Sequence, residues 1–163
     1  MRLAIVSDSH DNIWKVDAAR PYLAQVDLLL HCGDWVAPFT LKRFIEAMDG
    51  KPIHGIFGNN DGERRILDQI AAAHDQVHLY GDFAELEMAG WRIALTHYPE
   101  IARPLAASGR YDLVCYGHNH QAHEERVGST LLLNPGELFG GLTGQSRFVI
   151  LDTKTRQMAW VDL

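Results

Sequence analysis

The chain has 163 residues, a formal charge of −6, 47% hydrophobic and 22% charged residues, the composition of an ordinary globular protein. That length can bury a core without disulfides or a structural metal, so a single domain over 1–163 is expected. The acidic balance speaks against binding nucleic acid polymers or anionic membranes, and no apolar run approaches the ~20 residues of a membrane span.

The first apolar run, Leu3 to Val6, turns polar at Ser7-Asp8 and is too short for a signal-peptide core. Cys32 and Cys115 each close an apolar run, where a buried free thiol is the expectation. Together these point to a reduced, cytoplasmic protein without a disulfide. A homo-oligomer is compatible with the sequence, which does not specify one.

Leu3 to Val6, Leu28 to Leu30 and Ile53 to Phe57 read as strands buried on both faces. Ile13, Val16 and Leu23 suggest a first helix, which Pro21 should break or kink near Arg20. Leu41, Phe44, Ile45 and Met48 give a second helix one apolar stripe, with Pro38 in its first turn. Ile66, Ile70 and Ala73 suggest a third. The alternation predicts a parallel sheet with crossover helices.

In the second half, Ala84, Leu86 and Met88 alternate with Glu85 and Glu87, and Ala89-Gly90 turns the chain into Trp91, Ile93 and Leu95. Leu113 to Tyr116 is another buried run, Gly128-Ser129 joins two strands, and strands around Phe148 to Leu151 and Met158 to Leu163 close the chain. Helices thin out here, and a second, largely antiparallel sheet packed on the first is expected.

The chemistry lies where the strands end. Apolar runs stop at Asp8-Ser9-His10, Gly33-Asp34, Gly58-Asn59-Asn60-Asp61, Thr96-His97 and Gly117-His118-Asn119-His120. Sites of α/β sheets form beyond the carboxyl ends of strands, so these segments can converge on one crevice. The glycines before Asp34, Asn59 and His118 permit sharp turns and close backbone approach. Two carboxylates, one amide oxygen and four imidazoles suit Mn²⁺, Fe²⁺, Zn²⁺, Co²⁺ or Ni²⁺. They are too many for one tetrahedral zinc and too rich in histidine for Mg²⁺ or Ca²⁺. Two ions sharing one carboxylate, ~3.5–4 Å apart, would use them all and leave positions open for water and substrate.

The ordered set D-S-H, G-D, G-N-N-D, T-H and G-H-N-H resembles the calcineurin-like metallophosphoesterases, over positions 1 to about 136. The compact chain resembles their small prokaryotic phosphodiesterase branch, to which Vps29 is related. The resemblance implies an α/β/β/α sandwich of two mixed sheets flanked by helices, and a hydrolase acting on small phosphoesters, diesters above monoesters. It implies that Asp8, His10 and His120 bind one metal, that Asn59, His97 and His118 bind the other, and that Asp34 bridges both. Manganese is the first expectation for the metal, and a hydroxide held between the ions would attack phosphorus. Asn59, His97 and Asp61 are the residues expected to serve the reaction itself, Asp61 either by orienting a ligand or as a helix N-cap.

Two positions depart from the family pattern. Many relatives carry His, and small bacterial and archaeal ones often Cys, where this chain has Asn60, and an amide cannot deliver a proton to a leaving group. Relatives usually carry Ser in place of Glu137, which leaves the role of the Gly136 to Gly144 loop open; no Lys-Ser/Thr and helix follow it to make a phosphate cradle. The alternative function is a protein-interaction scaffold of the Vps29 type, which loss of ligand histidines would favour; this chain keeps them all. His31, His54, His74, His78 and His123 are expected to be ordinary packing or surface residues, and Asp11 and Asn12 to cap the first helix. Trp14, Trp35 and Phe39 lie near ligand loops and could wall the pocket, with core packing expected for at least one.

Overall fold

The computed structural model describes residues 1–163. In chain order the strands and helices are β1 (Arg2–Val6), α1 (Ile13–Leu23), β2 (Leu28–His31), α2 (Pro38–Met48), β3 (Ile53–Gly55), α3 (Arg64–Ala72) and β4 (Val77–Leu79). They continue as β5 (Phe83–Met88), β6 (Trp91–Thr96), α4 (Pro99–Ala107), β7 (Leu113–Cys115), β8 (His123–Val127), β9 (Thr130–Asn134), β10 (Arg147–Asp152) and β11 (Met158–Asp162).

Runs without polar alternation make strands that need cover on both faces, and the fold provides it. One sheet has the order β11-β10-β1-β2-β3-β4, the other β5-β6-β7-β9-β8. Ala4, Val6, Leu29 and Ile53 turn outward onto α1, α2 and α3 through Val16, Leu23, Leu41 and Phe44. Leu3, Ile5, Leu28 and Leu30 turn inward onto Ile93, Leu95, Leu113 and Leu133 of the second sheet. Ala94, Val114 and Leu132 of that sheet carry α4 on their outer side through Ala102 and Ala106. The result is the α/β/β/α sandwich of mixed sheets.

Four details differ from the sequence reading. The second sheet is not largely antiparallel: β6-β7 and β7-β9 are parallel, while β5-β6 and β8-β9 are antiparallel. The β6-β7 pair needs a crossover, which α4 supplies. The sequence reading missed α4 because its buried positions are small alanines and Pro104 lies inside it. Second, β10 and β11 extend the first sheet, β10 antiparallel to β1 and β11 antiparallel to β10, and β4 adds a parallel edge strand that the sequence reading had not separated. Third, α1 runs through Pro21 to Leu23 without breaking; Pro21 and Asp17 are both exposed, so the carbonyl that Pro21 deprives of a donor faces water. Fourth, α3 buries Leu67 and packs Ile70 and Ala71 against the core but leaves Ile66 41% exposed, so its inward face is rotated from the stripe of Ile66, Ile70 and Ala73.

Leu30 sits fully buried between the sheets. Leu30→Ala should cost about 2–5 kcal/mol of stability, the transfer term plus the residual cavity. Urea denaturation measures this, and a loss below about 1 kcal/mol would show that the inter-sheet core collapses around the gap.

Candidate metal centre

Five segments following β1, β2, β3, β6 and β7 meet above the sheet ends. The segment after β1 runs alongside the one after β2, with Asp8 N, His10 N and Asp11 N donating to Gly33 O, Asp34 O and Trp35 O. Gly117 N donates to His97 O, which joins the other two sheet ends. Five of the seven expected ligands have positive φ: Asp8 at 52°, His10 at 42°, Asp34 at 61°, His118 at 74° and His120 at 60°. The left-handed region is costly for non-glycine residues, by about 1–3 kcal/mol each where strained, and clusters at functional sites. The glycines contribute mainly room. A Cβ at Gly58 would collide with the Asp34 carboxylate, and one at Gly117 with Ser7 Oγ and Asp8.

All seven expected ligands come together. His10 Nε2 lies 3.8 Å from Asp8 Oδ1, and His120 Nε2 lies 3.5 Å from the same oxygen. Asp34 Oδ2 stands between two imidazoles, 3.6 Å from His10 Nε2 and 3.5 Å from His97 Nε2. Asn59 Oδ1 lies 3.0 Å from His97 Nε2 and 2.8 Å from His118 Nδ1. Ligand atoms of Asp8, His10 and His120 lie within 4.8 Å of one another, as do those of Asp8, Asp34 and His97. His10 Nε2 is buried without any hydrogen-bond partner, which an imidazole lone pair aimed at a cation explains. The donor set therefore fits divalent metal.

Electrostatics agree with that reading. Burial alone would raise the Asp34 carboxyl, but His97 and Asn60 outweigh it and hold Asp34 well below the usual carboxylate range. Burial lowers His97, and the adjoining Asp34 more than offsets this, leaving a net rise. His97 is oriented from behind, where its Nδ1 lies 2.8 Å from Cys32 O; the Nδ1–H donates there and Nε2 faces the carboxylates.

Asp61 does not join the cluster. Its buried carboxylate accepts N–H bonds from Asp34 (3.1 Å), Val36 (2.7 Å) and Gly58 (2.7 Å), so it braces the loops carrying Asp34 and Asn59. Nor does it cap α3, whose N-cap residue is Glu63. Asn60 donates both its backbone N–H and its Nδ2–H to Asp34, at 2.8 Å each. Asn12 caps α1 as expected, whereas Asp11 caps the start of α2 by accepting from Thr40 N and Thr40 Oγ1. Trp35 is core, with Nε1–H donating to Ile56 O; Trp14 and Phe39 are 75% and 62% exposed.

Two residues act here that sequence reasoning did not place. His31, fully buried, accepts from Gly33 N on Nδ1 (3.2 Å) and lies 3.0 Å from Ser9 Oγ through Nε2. The backbone donor fixes Nε2–H as the tautomer, and Ser9 Oγ–H passes the contact on to Asp34 O. Stacked on Trp35 with ring centroids 3.5 Å apart, it ties the Asp8–His10 segment to the Gly33–Asp34 turn. Glu137, also fully buried, approaches His120 Nδ1 at 2.6 Å. Burial would raise its carboxyl, but bonds from Thr143 and His120 hold it below its ordinary value. For Glu137 the sequence offered a signal, the unusual residue after Asn134-Pro135-Gly136; for His31 it offered none.

Residues 1–156 match the calcineurin-like phosphoesterase superfamily domain. The chain is 34% identical over 161 residues to phosphodiesterase MJ0936 of Methanocaldococcus jannaschii, covering 96% of each. A solved archaeal phosphodiesterase superimposes with a TM-score of 0.91 at 33% identity, covering 100% of both chains. Vps29 of Chaetomium thermophilum shares the fold at a TM-score of 0.72 and 13% identity, over 100% of this chain and 97% of that one. This chain belongs to the calcineurin-like phosphoesterase superfamily.

Burial holds His31 well below its ordinary value, so the unfolded chain takes up a proton near pH 6.5 that the folded protein refuses. Stability is then full above about pH 6.5 and is lost as pH falls through it. His31→Gln removes this loss, so the difference in unfolding free energy between wild type and variant should change by up to about 1.4 kcal/mol per pH unit below 6.5. Denaturation at several pH values reads it; parallel pH profiles would mean that His31 takes up its proton alike in the folded and unfolded chains.

Proposed function

We propose that the chain is a metal-dependent phosphodiesterase working with two divalent ions, manganese foremost, on small phosphoesters in a reducing cytoplasm. The observation that carries this is Asp34, whose one oxygen stands within 3.6 Å of His10 and 3.5 Å of His97. His10 falls in the donor cluster Asp8–His10–His120 and His97 in the cluster Asp8–Asp34–His97, and Asp34 stands beside both imidazoles. Asp8, His10 and His120 would hold one ion, Asn59, His97 and His118 the other, with Asp34 shared. Bound there, divalent cations would supply a nucleophile from water at neutral pH and offset the charge that builds on the phosphoryl oxygens.

The protein's own part is to aim these donors and to keep Asp34 ionised. His118 and Asn59 are exposed at the rim, so an ester reaches the centre from solvent. The two buried free thiols support a reducing compartment, and no helix is long and apolar enough to cross a membrane. The complete ligand set favours catalysis over a scaffold of the Vps29 type.

The leaving oxygen receives no proton from position 60. Asn60 is an amide committed to Asp34, and both Asp61 oxygens accept backbone N–H bonds. General-acid assistance is worth about 10²–10⁴-fold, so turnover with Mn²⁺ should fall steeply as leaving-group pKa rises along a series of phosphodiesters. Activated p-nitrophenyl diesters should be hydrolysed much faster than alkyl diesters of equal size, and Asn60→His should help the poor leaving groups most. A flat rate profile would contradict the missing acid, and no turnover of any ester in the presence of metal would overturn the reading itself.

A further inference from the structure

Glu137 spends both oxygens, and on different parts of the protein. Oε2 lies 2.6 Å from His120 Nδ1. Oε1 accepts from Leu142 N at 3.1 Å, Thr143 N at 2.7 Å and Thr143 Oγ1 at 2.7 Å. A carboxylate facing Nδ1 accepts its proton in a hydrogen bond, which leaves the His120 lone pair on Nε2, the nitrogen 3.5 Å from Asp8 Oδ1.

The loop held by the other oxygen is anchored to the same centre. Leu138 N and Phe139 N donate to Ser7 O and Asp8 O, and Asn12 Nδ2 donates to Phe139 O. The Phe139 ring lies 5.5 Å from His10, centroid to centroid. Ser146 Oγ–H closes the base of the loop on Leu138 O. Its tip is open to solvent, with Leu142 71% exposed, yet the Leu142 N–H reaches in to buried Glu137.

We propose that Glu137 is a positioning residue that couples the 138–145 loop to the metal centre, one oxygen orienting His120 as a ligand and the other ordering the loop beside it. This rests on the metal-centre reading of the site. A cation bound at His120 would make the Nδ1–H a stronger donor and so fix the Glu137 carboxylate, the acceptor for Leu142 and Thr143, more firmly in place. Metal occupancy thus sets the order of a loop that borders the site.

Three readouts test this, the first of which needs no metal. ¹⁵N NMR of metal-free protein reads the His120 tautomer, amide exchange reads Leu142 and Thr143, and calorimetry with Zn²⁺ or Mn²⁺ reads affinity. Wild type should show His120 protonated at Nδ1, with slower exchange at Leu142 and Thr143 once metal is added. Glu137→Gln can still accept from the loop, but it presents an amide N–H₂ to His120. It should shift the tautomer toward Nε2–H and lower metal affinity about 10–100-fold, the usual effect of losing the partner behind a ligand histidine. Thr143→Val removes a hydroxyl bonded to Glu137 Oε1 and to no ligand, so it should speed loop exchange and leave the tautomer unchanged. An unchanged tautomer and affinity in Glu137→Gln would reduce Glu137 to a structural residue and overturn the proposal, as would wild-type loop exchange indifferent to metal. Failure of the phosphodiesterase reading would appear separately, as absent ester turnover with these signatures intact.

Discussion

Asp8 and Asp34 are 0% and 1% exposed, and they lie side by side where strands of one sheet end. A buried carboxylate demands a cation or a dense set of donors, since leaving it unpaired costs several kcal/mol. Here the ion-pair partners within reach are imidazoles rather than lysines or arginines. Imidazole can meet that demand by protonation or can share a cation with the carboxylate, and the second route leaves the nitrogen lone pairs free to bind. The rest of the architecture follows from holding these two acids together.

Holding them takes strain and bracing. The ligand backbones sit in a conformation that side chains rarely favour, and such strain persists only where neighbours over-determine it. Asp61 satisfies three N–H groups around the Asp34 turn. His31 ties that turn to Ser9, and Glu137 stands behind His120. Each brace is itself a buried polar group, which makes sense only if the geometry it enforces is worth its own desolvation. The two-sheet core beneath, with Leu3, Ile5, Leu28 and Leu30 facing Ile93 and Leu95, keeps the strand ends in register.

Much of this was legible in the sequence, because ligands at strand ends are a local pattern. Unbroken apolar runs stopping at Asp8, Asp34, Asn59, His97 and His118 carry both the strand and the donor. What escaped was non-local or weakly patterned. The helix with Ala102 and Ala106 on its buried face shows little hydrophobic contrast, and its Pro104 reads as a breaker. The placement of β10 beside β1 depends on a pairing between residues such as Ala4 and Ile150, which no short window contains. Asp61 could be read as a cap or as an orienting group; only the positions of Asp34 N and Val36 N decide it. His31 looked like a core histidine and is one, but its two nitrogens meet different loops.

If two cations bind here, Asp34 is the residue that would join their sites. Equilibrium dialysis against Mn²⁺ followed by elemental analysis tests it directly, on wild type and on Asp34→Asn. The account predicts two ions per chain at saturation, with occupancy falling in the variant because the shared carboxylate is gone. A single ion per wild-type chain, together with an Asp34→Asn protein that remains fully loaded, would contradict it.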